Sequence, residues 1–402
     1  MPLPLCSMEK TNKLLYLEGL RGIAAIMVAV HHFLLAFYPS YFFGGDLSMT
    51  HTNGLELAYF RSPLSFITNG EFMVAIFFIL SGYVLSHSYY KTNRTEILVS
   101  SAIRRFPRLY IPVAFTLVVA YASLRLSLVP YTAVADITKS GWLVKIWPEE
   151  LSLKTFVICF TYYTMFFGDN RYVTSMRTMA TELYGSIMVF SLLALTHKIR
   201  AKWVIFLLLS IPLYFIFQDV YVAFIIGICL NYLDKIDWSK VKARRIIVFV
   251  FTILGLFLGG FPTWTISYDN ETFYHFISSH FINSNTQSVH ILGGTFLIAA
   301  ILISPGLQKF FSGKIFTFLG DISFSAYLIH PVLIGLVACR VFIPTFHNLN
   351  NYHGAALIAF GAYLMATIII AKIMTQLVDK PGTRFSKYIY ERFFKPRESL
   401  SS

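Results

Sequence analysis

Apolar residues in this chain come in long runs rather than in alternation. About ten such stretches lie near residues 15–38, 67–90, 109–129, 179–197, 203–218, 219–233, 245–263, 288–304, 324–343 and 354–378, with polar connections between them. Runs of this length without period-two alternation predict helices, and several approach the roughly 20 residues a helix needs to cross a bilayer. The pattern predicts an all-α fold: a polytopic transmembrane helix bundle of about ten spans. No internal repeat, coiled-coil pattern or low-complexity linker divides the chain. It reads as one membrane domain over 15–380, between an N-terminal segment 1–14 and a basic tail 381–402.

Composition agrees with the pattern. With 56% hydrophobic and only 13% charged residues, and with 39 Phe and 24 Tyr, the 402 residues cannot cover a water-soluble surface. A multi-pass integral membrane protein follows. The start MPLPLCSMEKTNK has no apolar stretch ahead of a cleavage-like site, so the first span is expected to serve as the insertion signal.

A formal net charge of +13 raises nucleic acid as a partner, and the position of the charges argues against it. Alternate connections hold the basic residues: Lys91, Arg94, Arg104, Arg105 and Arg108; then Lys198, Arg200 and Lys202; then DKIDWSKVKARR; then Lys309 and Lys314; and finally KPGTRFSKYIYERFFKPRE. Residues 264–287 and 344–353, on the opposite side, contain no Lys or Arg. By the positive-inside rule the basic connections and both termini are cytoplasmic. Residues 130–177 carry Lys139, Lys145, Lys154, Arg171 and Arg177 and are nevertheless placed outside, with LSLKTFVICFTYYTMFF read as an amphipathic or re-entrant piece covering a site. The four cysteines, Cys6, Cys159, Cys229 and Cys339, lie far apart without CxxC or Cys/His grouping. Neither a disulfide framework nor a bound metal is expected.

Against this background a few polar residues are expensive and call for a reason. Arg21 and His32 share the first run, LLYLEGLRGIAAIMVAVHHFLLAFY. Their separation of eleven residues is three turns plus about 20°, which puts both on one helix face roughly 16 Å apart along the axis. In SAIRRFPRLYIP, Arg105 and Arg108 stand one turn apart at the cytoplasmic mouth of the third span, a pair suited to gripping phosphate. DISFSAYLIHP sets Ser323, Tyr327 and His330 on one stripe of the ninth span. Glu182 opens the fourth span toward the outside, followed by the small residues Gly185 and Ser186.

Plainer roles exist for most of these. A basic cluster at a helix end fixes topology; His31 or His330 can be a hydrogen-bonded structural histidine; Glu182 can complement a helix dipole; Gly70, Gly82, Gly185 and Gly320 can serve packing. Arg21 with His32 is harder to dismiss, because two costly groups are aligned within one span.

The same segments resemble a known family. YLEGLRGIAAIMVAVHHF is similar to the opening signature of the integral-membrane acyltransferase family 3, whose members O-acetylate bacterial lipopolysaccharide, peptidoglycan and exopolysaccharide sugars and some small molecules. NGEFMVAIFFILSGYVLS, SAIRRFPRLYIP, TMATELYGSIMVF, LGDISFSAYLIHPVL and VDKPGTRFSK resemble its later motifs in the same order, along most of the chain. Two departures stand out: Glu18 where Asp is common, and Arg177 where Trp is usual.

The resemblance implies transfer of an acyl group, usually acetyl from cytoplasmic acetyl-CoA, to a hydroxyl, and makes Arg21 and His32 the essential pair. Arg21, Arg105 and Arg108, with Ser323, Tyr327 and His330, are then expected along the donor site, with no permanently bound cofactor. His32 would act as general base or take the acyl group itself, and Glu182 would orient the acceptor or His32 from near the outer face. His330 is expected in the donor channel, nearer the cytoplasm. The acceptor expected is a glycan or lipid-linked molecule in or across the bilayer, with the aromatic outer residues Tyr268, Tyr274 and Phe276 either stacking on a sugar or sitting in the interfacial belt. The membrane expected is the plasma (bacterial inner) membrane. Nothing in the chain specifies an oligomer. Two other readings fit the same charges: a transporter or flippase without acyl chemistry, and an acyltransferase acting on a lipid or specialised metabolite.

Overall fold

The computed structural model describes residues 14–45, 47–217, 220–263, 272–274 and 286–395. Among them there is no strand. Every apolar run is helical: α1 Leu15–Phe37, α2 Gly70–Thr92, α3 Glu96–Arg125, α4 Arg177–Leu195, α5 Lys202–Phe217, α6 Val220–Leu230, α7 Arg244–Gly259, α8 Thr286–Ile303, α9 Lys314–Leu333 and α10 Tyr352–Met374. Seven helices among the described residues are long and apolar enough to cross a membrane on their own. The expected count of about ten exceeds this because α5, α6 and α7 have only 16, 11 and 16 residues. The last long helix runs on from Tyr352 to Phe394, so the expected boundary at 380 falls within a continuous helical stretch.

The packing that positions everything else is α1 against α9. Both helices start at the end of the bundle that carries the basic connections, so they run in parallel. Their backbones nearly touch: a Cβ on Gly22 would overlap Leu319 and Gly320, one on Gly320 would overlap the carbonyl of Glu18, and one on Gly19 would overlap the carbonyl of Phe311. Small residues permit this in a bundle, where close van der Waals packing between helices replaces a water-driven force. Leu17, Leu20, Ala24 and Val28 on α1, and Ile322, Ala326, Ile329 and Leu333 on α9, are buried around the crossing.

Residues 130–177 form short helices, Tyr131–Thr138, Gly141–Lys145 and Leu153–Phe167. The second is fastened to α1. Ser140 caps it by accepting from the Leu143 N–H at 3.2 Å and donates its hydroxyl to the Leu35 carbonyl at 2.6 Å. The aromatic residues expected at the outer surface divide differently: Tyr274 is fully buried with its hydroxyl on the Phe257 carbonyl, so it offers no face to a sugar. Tyr268 and Phe276 lie outside the described residues.

Because backbone atoms oppose Gly22 and Gly320, no rotamer can relieve an added side chain there. Gly22→Val or Gly320→Val should cost at least about 2 kcal/mol of stability by forcing the helices apart. The check is the thermal midpoint of the purified protein in detergent, and an unchanged midpoint would contradict the tight crossing.

Candidate active site

The α1–α9 crossing delivers two histidines to one point. His32 is ten residues beyond Gly22, and His330 is ten residues beyond Gly320. In parallel helices that equal count is an equal rise of about 15 Å. The imidazoles meet with His32 Nδ1 and His330 Nε2 2.6 Å apart. Their planes differ by 15° and their centres are 4.9 Å apart, so they lie edge to edge in nearly one plane, as an N–H···N bond requires. The expectation that His330 sits nearer the cytoplasm, in a donor channel, is thus corrected: it stands level with His32 and is bonded to it.

Trp142 covers the pair, its ring 5.2 Å from His32 and tilted by only 19°. Tyr327 closes another side, edge-on to His330 at 5.9 Å, with its hydroxyl 2.9 Å from that of Thr178 on α4. Ser323 does not join the group; its hydroxyl donates to the Gly320 carbonyl of its own helix at 2.8 Å. His31 has a separate task. It is buried, bonds through Nδ1 to the Thr68 carbonyl at 2.8 Å and packs edge-on against Phe42, so it anchors the turn that leads into α2.

The second group is cationic. Arg105 on α3 is buried, donating through Nε to the Ser186 hydroxyl at 2.7 Å and through Nη2 to Glu182 in an ion pair. Glu182 also accepts from the Ser81 hydroxyl at 2.6 Å, from the middle of α2. Sequence reasoning placed Glu182 at the outer face, apart from the arginines. The structure instead makes it the counter-ion of Arg105, because α3 carries Arg105 deep into the bundle, nine residues past its start. A lone buried guanidinium costs several kcal/mol, and the carboxylate offsets that.

Arg21 feels Arg108, Glu182, Glu18 and Asp379 electrostatically, and Asp379 in turn feels Arg108 and Arg21. Arg21, Arg105 and Arg108 therefore converge, as their motifs suggested. Arg108 is exposed. Asp379 and Ser81 were not singled out from the sequence beyond their places in VDKPGTRFSK and NGEFMVAIFFILSGYVLS, and Trp142 had no signal at all. Beside Tyr327, Glu71 and Arg177 interact electrostatically at the starts of α2 and α4. Arg177, the departure from the usual Trp, is exposed at the start of α4 and acts electrostatically on Glu71 and Tyr327.

The arrangement sets a cationic group at one level and a hydrogen-bonded imidazole pair about 16 Å along α1 from Arg21. His32 is only partly buried, and its Nε2 makes no hydrogen bond among the described residues. Among those residues no cluster of His, Cys, Asp or Glu suits a metal ion. The chemistry on offer is acid–base or nucleophilic work by an imidazole next to an anion site.

Comparison with known proteins is consistent with that chemistry. Residues 14–376 match the family profile described as "Acyltransferase domain". The chain is 24% identical over 442 residues to "O-acetyltransferase PaAT-1" of Phomopsis amygdali, covering 95% of this chain and 86% of that protein. No solved structure matches.

The Arg105–Glu182 pair carries a prediction that separates it from the exposed cations. Glu182→Gln should leave Arg105 charged and under-paired and cost about 3 kcal/mol or more, whereas the double variant Arg105→Met/Glu182→Leu should recover most of the loss. Thermal midpoints of the three proteins decide the matter; equal midpoints for Glu182→Gln and the parent would remove the pair from the structural account.

Proposed function

This chain belongs to the acyltransferase family whose domain it matches over nearly its whole length and is a membrane O-acyltransferase; from that premise we propose that it takes an acyl group, in the first instance acetyl, from cytoplasmic acyl-CoA and passes it to a hydroxyl of a glycan, glycolipid or other acceptor. The observation that carries the reading is the pairing of a free His32 Nε2 with a cationic group displaced along the same helix. A CoA thioester has phosphates at one end, the reactive carbonyl at the other and a long thin arm between. Arg21 and the exposed Arg108 receive the phosphates at the basic end, and the arm runs along α1 to His32. Arg105 holds the floor of this passage through Glu182 rather than gripping the donor alone.

At His32 the acceptor hydroxyl gives its proton to Nε2 as its oxygen attacks the thioester carbonyl. The C–O bond forms, the C–S bond breaks, and the departing thiolate takes the proton back from Nε2. Trp142 shields the reacting carbonyl from water on the side that 130–177 covers. The acceptor enters from the end where Glu71 and Arg177 stand, and their opposite charges suit an acceptor rich in hydroxyls. PaAT-1 carries O-acetyltransferase in its name, which favours acetyl here as the group transferred.

Purified protein supplied with acetyl-CoA and an extract of glycans and lipids should release free CoA, and mass spectrometry of cells with and without the chain should show a lost acetyl increment in one product class. His32→Ala should abolish both, a fall of at least about a hundredfold, while His31→Ala should chiefly lower stability. Full acetylation by His32→Ala would sink the assignment. Arg108→Ala should raise the KM for acetyl-CoA about tenfold with the thermal midpoint unchanged. Unaltered donor affinity would remove Arg108 from the phosphate site.

A further inference from the structure

The imidazole of His330 is held by its own helix. Its Nδ1 lies 3.1 Å from the Ala326 carbonyl, and the Tyr327 carbonyl also acts on the ring. A carbonyl oxygen only accepts, so Nδ1 of His330 carries a hydrogen. The local sequence explains why Tyr327 has a carbonyl to spare: the residue four positions on is Pro331, which has no N–H to bond it. Neutral His330 with its hydrogen on Nδ1 has a bare Nε2. That bare nitrogen is 2.6 Å from Nδ1 of His32, which must therefore be the donor. With Nδ1 of His32 committed as N–H, the lone pair of that ring falls on Nε2, the atom that makes no hydrogen bond among the described residues. The opposite tautomer of His330 would set a lone pair against the carbonyl oxygens. A second proton on either ring would bury a charge where, among the described residues, neither histidine has an ion-pair partner.

We propose that His330 is a positioning residue that fixes the tautomer and ring plane of His32, so that Nε2 is the nitrogen that works on the acceptor hydroxyl. The inference rests on the reading of His32 as the catalytic base. When His32 takes the proton at Nε2 it becomes an imidazolium, and His330 Nε2, still accepting from Nδ1–H, stabilises that charge without taking the proton. Carboxylates commonly fill this place behind a catalytic histidine. Here an uncharged imidazole does so, which spares the bundle a buried anion.

The test measures thiol release from acetyl-CoA in membranes carrying the full-length chain, compared with control membranes, for His32→Ala, His330→Leu and His330→Gln. Leucine fills the space and accepts nothing; the glutamine carbonyl can still accept the Nδ1–H. His330→Leu should lower kcat about a hundredfold with the KM for acetyl-CoA within about twofold of the parent, and His330→Gln should recover activity to within about tenfold of the parent. Equal activity of the Leu and Gln variants, both at parental thermal midpoint, would overturn the proposal, as would a loss confined to KM. If both variants are inactive with lowered midpoints, His330 is a packing residue and the proposal is likewise overturned. A fully active His32→Ala would instead overturn the underlying reading of His32, and is distinguishable because it does not involve His330.

Discussion

Backbone contact between α1 and α9 is the constraint from which the site follows. Where Gly22 meets Gly320 no side chain separates the helices, so neither can slide without a clash. A parallel pair pinned at one level keeps its register above it, and ten residues further on each helix presents a histidine. The 2.6 Å bond between the imidazoles is then a consequence of chain geometry. A shift of one residue, 1.5 Å along either axis and 100° around it, would turn one ring away. The glycines far from the chemistry thus govern it as firmly as the residues beside it.

The charged residues obey a different constraint, the cost of removing ions from water. The bundle meets that cost unequally. Arg105 donates to Glu182 and the Ser186 hydroxyl, with Ser81 taking part of the remaining capacity of the carboxylate. Arg108, one turn away, is exposed. Two arginines from one motif therefore do separate jobs, and burial decides which. Arg21 is influenced electrostatically by both Glu182 and Asp379. Spacing alone made Arg105 and Arg108 equivalent, because three residues on a helix say only that two side chains share a face.

What was legible in the sequence was whatever depends on one helix at a time. The apolar runs marked α1 to α10, and the eleven-residue spacing put Arg21 and His32 on one face. The motif order also identified the residues that converge. What failed was relative depth between helices. Glu182 was read as an outer residue because its helix begins outside, and His330 as an inner one because its helix begins inside; neither reading included the length of the partner helix. Tyr274 failed for a related reason: a tyrosine in a polar connection gives no sign that its own hydroxyl bonds the Phe257 carbonyl of α7. Trp142 reaches His32 with the help of the bond from Ser140 to Leu35, a contact between segments more than a hundred residues apart.

His31 and His32 show how little local chemistry decides. They are adjacent and of one residue type, and they sit on the same helix at nearly the same depth. A turn of 100° sends the first into a packed corner, where Thr68 and Phe42 occupy it, and the second toward another helix, where it finds an imidazole. A histidine whose hydrogen bond ends on a backbone carbonyl holds a fold together. One whose partner nitrogen leaves its own second nitrogen bare is prepared to accept a proton. In this bundle the second case needs three things at once: a crossing tight enough to fix register, a proline that frees a carbonyl near His330, and a His32 that stays only partly buried. The placement of the bare nitrogen of His32 is therefore a property of the α1–α9 pair, and only secondarily of the histidine.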